Sequence, residues 1–329
     1  MNIEFHYYII HFLANQAGFP EDDARTLAHS SQFVDHNIVS YRINAQGKLY
    51  STFPTQNYGF WDEAFPKDVY IPFHFFPGDL EYLNARRRDG KKNPLNCTPN
   101  SSAVKELLIS ALNTRNLYRV GIALHTYADS WAHQNFTGVL ENWNVLDQRS
   151  IIPAIGHAQA FRKPDNLDAA WTDSRVEKKS QRIDNRSRVL AAARMIYKYL
   201  CTYNRRSFED VDLVLWKLSD ICGEPPATKS RDERIADIII EENIAKYERS
   251  IWLHAAFHVT EDPSNERMFS GYDKYLWLKD AVLYRSTLVE QKQVKAKPGF
   301  FQSQFFRWQE SAREHLKEAK RILKGIVYQ

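Results

Sequence analysis

His125, Asp129 and His133 recur every four positions in an otherwise apolar stretch. At ~100° per residue they fall about 40° apart around a helix, one stripe two turns long. Leu117, Val120, Leu124, Tyr127, Ala128 and Trp131 supply the apolar surface around that stripe. Ionisable groups on a buried helix are costly unless they are paired or ligate a cation. Neutral imidazole and carboxylate are ligands that Zn²⁺ takes at ~2.0–2.2 Å. A buried His–Asp–His hydrogen-bonded network would use the same residue types, but three groups in register favour a metal. Gly121, one turn before His125, leaves room for a neighbouring element to approach.

Further candidate ligands lie in the first half of the chain: His6, Asp35, His74 between Pro72 and Pro77, and His157. Taken singly each is ordinary; His74 could be a packed core histidine and His157 could cap a turn. The ordered set is not ordinary. A His, an Asp and a His, then His-x3-Asp-x3-His, then another His, resembles the zinc-dependent phospholipase C and S1/P1 nuclease superfamily. The short Asp129-to-His133 step resembles its glycosylphosphatidylinositol-specific phospholipase D branch. The runs His6-Tyr-Tyr, Ser31-Gln-Phe-Val-Asp35 and Ala123 to Phe136 also look like a largely uncharacterised group of bacterial proteins.

Carried onto residues 6–165, the resemblance implies that Asp129 bridges two zinc ions. Asp35, His74 and His125 would complete one site, His6 another, and His133 with His157 a third, two to three ions in all. The secreted phospholipases also use their amino terminus as a ligand, whereas five residues precede His6 here. Their last His is followed four residues later by Glu. That position is Phe161 in this chain, and Asp165 is the nearest carboxylate across the Pro164 bend. The reaction so implied is phosphoester hydrolysis by a metal-activated water, with a phospholipid head-group phosphodiester as substrate and Asp35 orienting or deprotonating the water. A 3′-nucleotidase or single-strand nuclease on the same site is the first alternative. A non-catalytic metal-stabilised interaction protein is the second.

The elements that must position these residues read as helices. The 329 residues are 43% hydrophobic and 13% aromatic, with only 12 Gly, which disfavours tight hairpins. Capping and periodicity predict helices over about 2–18, 20–37, 100–114, 117–138, 174–202, 208–221, 231–258, 272–291 and 301–327. Residues 38–99 and 139–170 show no sustained period and no convincing strand alternation. The expected fold is all-α, a single helical domain of phospholipase C/P1 nuclease type with two long irregular loops and extra C-terminal helices. Residues 1–170 would be the metal-binding core and 171–329 a helical extension of the same domain.

Other chemistries lack their signatures. There is no His-Asp dipeptide, Glu-x-x-His, HExxH, P-loop or G-x-S-x-G element. Cys97, Cys201 and Cys222 form no CxxC pair, which removes a disulfide framework and a thiolate zinc site. A formal charge of +4 is too small to signal nucleic acid. No apolar run approaches ~18 residues, and the start lacks a basic n-region, so the expected compartment is the cytoplasm, with export without a leader still open.

Two features bear on partners. Residues 50–76 hold ten aromatics, which could accept acyl chains, cage a quaternary ammonium or form a satellite core. Residues 291–329 carry nine Lys+Arg against three Glu, and Phe301, Phe305, Trp308, Ala312, Leu316, Ala319 and Leu323 recur at helical spacing. Such a helix either touches an anionic membrane peripherally or docks on the core with a solvated basic face. His254 and His258, i and i+4 with Asp262 nearby, form a weaker metal candidate.

Overall fold

A computed structural model describes residues 1–56, 65–223, 229–258 and 292–328. Glu4–Ile9 forms a π-helical turn that runs unbroken into α1 (Ile10–Gln16), followed by α2 (Glu21–His36). A hairpin of β1 (Tyr41–Ala45) and β2 (Lys48–Ser51) comes next. A second π-helical turn, Pro66–Tyr70, leads into the short α3 (Ile71–Phe73). Then come α4 (Ser102–Asn113) and α5 (Leu117–Ala132), a small antiparallel pair of β3 (Ala170–Thr172) and β4 (Arg182–Asp184), and α6 (Asn185–Tyr203). The remainder comprises α7 (Val211–Ile221), α8 (Arg231–Glu242), α9 (Ile251–Ala256), β5 (Lys292–Lys295) and α10 (Gln304–Ile322).

The described chain is mostly helical, but the all-α expectation needs correction, because two small sheets are present. β1 alternates with Tyr41, Ile43 and Ala45 buried, and the two-residue turn Gln46–Gly47 has φ of 52° and 76°. Two positive φ values in a two-residue loop match the twist of the strands it joins. β5 adds parallel to β1, from a segment some 250 positions away that local periodicity cannot pair with it. In the second sheet Trp171 and Ile183 face the interior, and Arg175 clamps Asp173 through two hydrogen bonds of 2.8 and 2.7 Å. That buried pair holds the turn where the sequence predicted the start of a helix at 174.

Two other helices are shorter than expected. α5 stops at Ala132, and Asn135 at φ 71° turns the chain so that its N–H meets the Cys97 carbonyl. α8 opens with a capping box between Ser230 and Glu233 and ends where Asn243 adopts a left-handed conformation. The expected helix over 272–291 lies outside the described residues. His258 leaves the helical path, its N–H bonding to the Lys295 carbonyl, so the i,i+4 spacing with His254 is not realised; Asp262 lies outside the described residues.

α5 is the axle. It is buried on nearly every side, as a helix apolar all round must be, and it packs against α2, α3, α4, α6 and α10. Gly121 explains how close α2 comes: a Cβ there would sit 2.5 Å from the Leu27 carbonyl oxygen and 2.5 Å from Ser30 Cβ. α10 packs on both α5 and α2, with Phe305, Trp308, Ala312, His315 and Ala319 buried and Trp308 Nε1 donating to the Ser30 carbonyl at 3.0 Å. Burying Phe305 alone contributes roughly 1.5–3 kcal/mol. The apolar face that suggested membrane contact is therefore inside the protein. Two cations of that helix, Lys320 and Arg321, pair with Asp68 and Glu106 of the same chain. The main core interleaves residues from both halves of the sequence, Met1 to Ala132 with Leu167 to Leu323. Cys97, Cys201 and Cys222 are buried free thiols, and among the described residues no helix is long and apolar enough to cross a membrane.

Candidate metal centre

All eight sequence candidates converge. His6 comes from the first π-helical turn, Asp35 from the end of α2, and His74 from the residue that terminates α3. His125 and Asp129 come from α5, His133 from its C-cap, and His157 and Asp165 from short turns beyond it. They form three groups, His6–His125–Asp129, Asp35–His74–His125 and His133–His157–Asp165, each with donor atoms within 4.8 Å of one another.

The spacing fits a cation better than a hydrogen-bonded network. Two ligands on a tetrahedral ion with ~2.0 Å arms lie about 3.3 Å apart. Asp129 Oδ1 is 3.1 Å from His6 Nε2, while its Oδ2 is 3.2 Å from both His74 Nδ1 and His125 Nε2. His74 Nδ1 and His125 Nε2 are themselves 3.2 Å apart. His133 Nε2 and His157 Nε2 stand 3.1 and 3.4 Å from the two oxygens of Asp165. Asp35 Oδ1 is looser, 3.7 Å from His125 and 3.9 Å from His74.

The proton positions sharpen the point. His74 Nε2 donates to the Thr55 carbonyl at 2.9 Å, His133 Nδ1 to the His74 carbonyl at 2.7 Å, and His157 Nδ1 to the Phe161 carbonyl at 2.9 Å. In the neutral tautomer each of these rings has spent its N–H on backbone. The other nitrogen then aims a bare lone pair at a carboxylate oxygen or, for His74, also at another ring nitrogen. Lone pair against lone pair is repulsive unless a cation lies between them. Carbonyls that fix ligand tautomers in this way are the usual supports of metal-bound histidines.

Electrostatics point the same way. Burial would raise the Asp129 pKa, but His133, the Met1 ammonium, His125 and His6 hold it well below the ordinary carboxylate value. Asp35 and Asp165 are lowered in the same manner, against burial, by their histidine neighbours. Burial pushes His6 down to about 3, helped by His125 and the amino terminus, and burial also lowers His157. His74 is the exception, raised by Asp129 and Asp35 against its burial. Three ionised carboxylates thus share a buried space with two imidazoles, His6 and His157, that resist protonation, and such a space is costly without positive charge.

The structure also brings in groups that sequence reasoning did not assign. The α-amino group of Met1 pairs with Asp129 and lies 3.4 Å from Asp165, despite the five residues before His6. Its pKa, lowered by burial but raised more by those carboxylates, stands at about 10. The π-helical turn that carries His6 brings the amino group back to this point, and such turns have no compositional signature. Phe75 stacks on the His133 ring at 4.6 Å. Of the aromatic run, Phe65, Tyr70, Phe73, Phe75 and Phe76 are buried and Tyr50 and Phe53 pack beside α10, while Tyr58, Phe60 and Trp61 lie outside the described residues.

A family model matches residues 1–323, nearly the whole chain, and its description is a family of unknown function, DUF6765. The chain belongs to DUF6765. No curated protein and no solved structure matches it. For this member of the family the donor set is the functional evidence, and its side chains could hold metal ions at three adjoining positions. His36, next to Asp35 in sequence, takes no part: its Nδ1 lies 2.9 Å from the Tyr247 hydroxyl.

Proposed function

We propose that this chain is a zinc-dependent phosphoesterase, most plainly a phospholipase C acting on a head-group phosphodiester. The observation that carries the reading is Asp129, whose two oxygens face different histidines, His6 on one side and His74 with His125 on the other. A carboxylate so divided suits two neighbouring cations, and the order of the ligands along the chain resembles that of the phospholipase C and P1 nuclease superfamily. Zinc held there would supply Lewis acidity toward phosphoryl oxygens and an acidified water.

The protein side of the chemistry follows from exposure. Most of the donor side chains are buried, but Asp35, Asp165 and His157 keep 23%, 19% and 20% of their side chains open, so these are the members of the donor set that solvent reaches. Asp35 is held ionised there. It accepts a proton from the attacking water, while Gln32, 3.4 Å from its other oxygen, fixes its rotamer. Phe75, against His133, keeps water from the inner side of the ring.

The test is turnover by zinc-loaded protein on phospholipid vesicles, a generic phosphodiester, and nucleotides, each with and without chelator. Chelator-sensitive release of a phosphorylated head group supports the reading. Cleavage of single-stranded nucleic acid without lipid hydrolysis would reassign the site to a nuclease. Inactivity on every phosphoester would leave a metal-stabilised interaction protein.

A further inference from the structure

We infer that the segment from Arg149 to Lys163 is a docking surface for an anionic lipid bilayer. Ile151 is 99% exposed and Phe161 64% exposed, large apolar side chains held in water. They belong to one body, because Gln159 accepts from the N–H groups of Leu146 and Asp147 at 2.8 and 3.1 Å and donates to the Ile152 carbonyl at 2.9 Å. Arg149, Arg162 and Lys163 are exposed beside them. Apolar tips flanked by cations match the acyl and anionic head-group layers of a membrane surface.

Phe161 makes the case specific. Its backbone sits at φ 54° and ψ −130°, a conformation open to glycine and sterically costly for any residue with a Cβ. The conformation has a local use, since the Phe161 carbonyl accepts from His157 Nδ1. A glycine would give the same carbonyl without the strain. The large side chain is mostly in water, so burial within the chain offsets little of that cost. A benefit outside the chain, insertion into an apolar phase, accounts for a phenylalanine here. The same turn leads to Asp165, a partly exposed member of the candidate donor set, so a bilayer bound to Phe161 would lie close to it in the chain. The C-terminal helix cannot serve this purpose, because its apolar face is buried.

The inference rests on the phosphoesterase reading only for the origin of the substrate. Binding is measured without turnover, so either can fail alone. Full-length protein is floated with phosphatidylcholine vesicles with or without phosphatidylglycerol, at low and high salt. Wild type should float with the anionic vesicles and lose binding at high salt. Phe161→Gly should reduce bound protein about tenfold, the effect of roughly 1.4 kcal/mol of lost insertion, with a melting temperature no lower than wild type. Ile151→Asp, at a position outside the packed core, should weaken binding while keeping zinc content. Arg162→Glu with Lys163→Glu should abolish the preference for anionic vesicles. Wild-type affinity in Phe161→Gly and Ile151→Asp, equal binding to neutral vesicles, or no vesicle binding by wild type would each overturn the assignment.

Discussion

Replacing Asp129 by Asn keeps the shape of the side chain and removes what the geometry uses. Asp129 contributes Oδ1 to the group containing His6 and Oδ2 to the group containing His74 and His125. An amide offers one neutral oxygen, and its NH₂ would face either the Met1 ammonium or two ring nitrogens. The group with His6 loses its only carboxylate and the group with His74 and His125 keeps only the looser Asp35, while His133–His157–Asp165 is untouched. Zinc content should therefore fall from about three equivalents to about one. At a hundredfold excess over Kd each site stabilises the fold by about 2.7 kcal/mol, so the variant should lose roughly 5 kcal/mol of zinc-dependent stability. Breaking the buried contact with the Met1 ammonium adds a metal-independent loss of about 3–5 kcal/mol. Melting curves with zinc and with chelator separate the two, and elemental analysis gives the count. His36→Ala is the control, since that ring bonds Tyr247 instead of the centre. Equal zinc content and an equal zinc-induced rise in melting temperature in wild type and Asp129→Asn would refute the bridging geometry. The cluster would then be a hydrogen-bonded core network.

Metal-free protein should lose stability as pH falls below about 6.5. His6 titrates near 3 in the fold, so the unfolded chain takes up its proton first, at a cost of about 1.4 kcal/mol per pH unit for that group. Its contribution is intact above the unfolded pKa and is lost between the two values; His6→Gln should flatten the melting temperature against pH in chelator. Gly121→Val should separate α2 from α5, cost about 1–3 kcal/mol through overpacking, and lower zinc content by moving Asp35; thermal melting and elemental analysis check both parts. Deleting residues 303–329 removes Phe305, Trp308 and His315 from the core, so circular dichroism should show an unfolded chain and zinc should be lost. A folded, zinc-loaded truncation would contradict the packing.

The helical skeleton was legible wherever a cap coincided with a 3.6-residue period. Ser101 caps α4 by accepting from Val104 N, and Pro20 with three carboxylates opens α2. What local pattern could not deliver was pairing at a distance. β5 joins β1 through backbone hydrogen bonds between segments far apart in sequence, and the five residues of β1 are too few for alternation to stand out from a proline-rich loop. The ends of α5 and α8 were misplaced because Asn135 and Asn243 act as left-handed stops, a role for which asparagine signals less strongly than glycine.

The site divides along the same physical line. Side-chain donors were legible, because histidine and aspartate at helical spacing on an apolar face demand an explanation from burial alone. The groups that make those donors work are backbone atoms, the carbonyls of Thr55, His74 and Phe161 and the amino group of Met1, and backbone carries no residue-type signal. Two π-helical turns do the remaining placement, one carrying His6 and one leading to His74. Each such turn adds a residue to a helix at a cost in regular hydrogen bonding, and they recur where function sets the geometry. That one carries and the other leads to a histidine facing Asp129 ties the irregular parts of this fold to the centre, so straightening either turn should disturb the donor set before it disturbs the core.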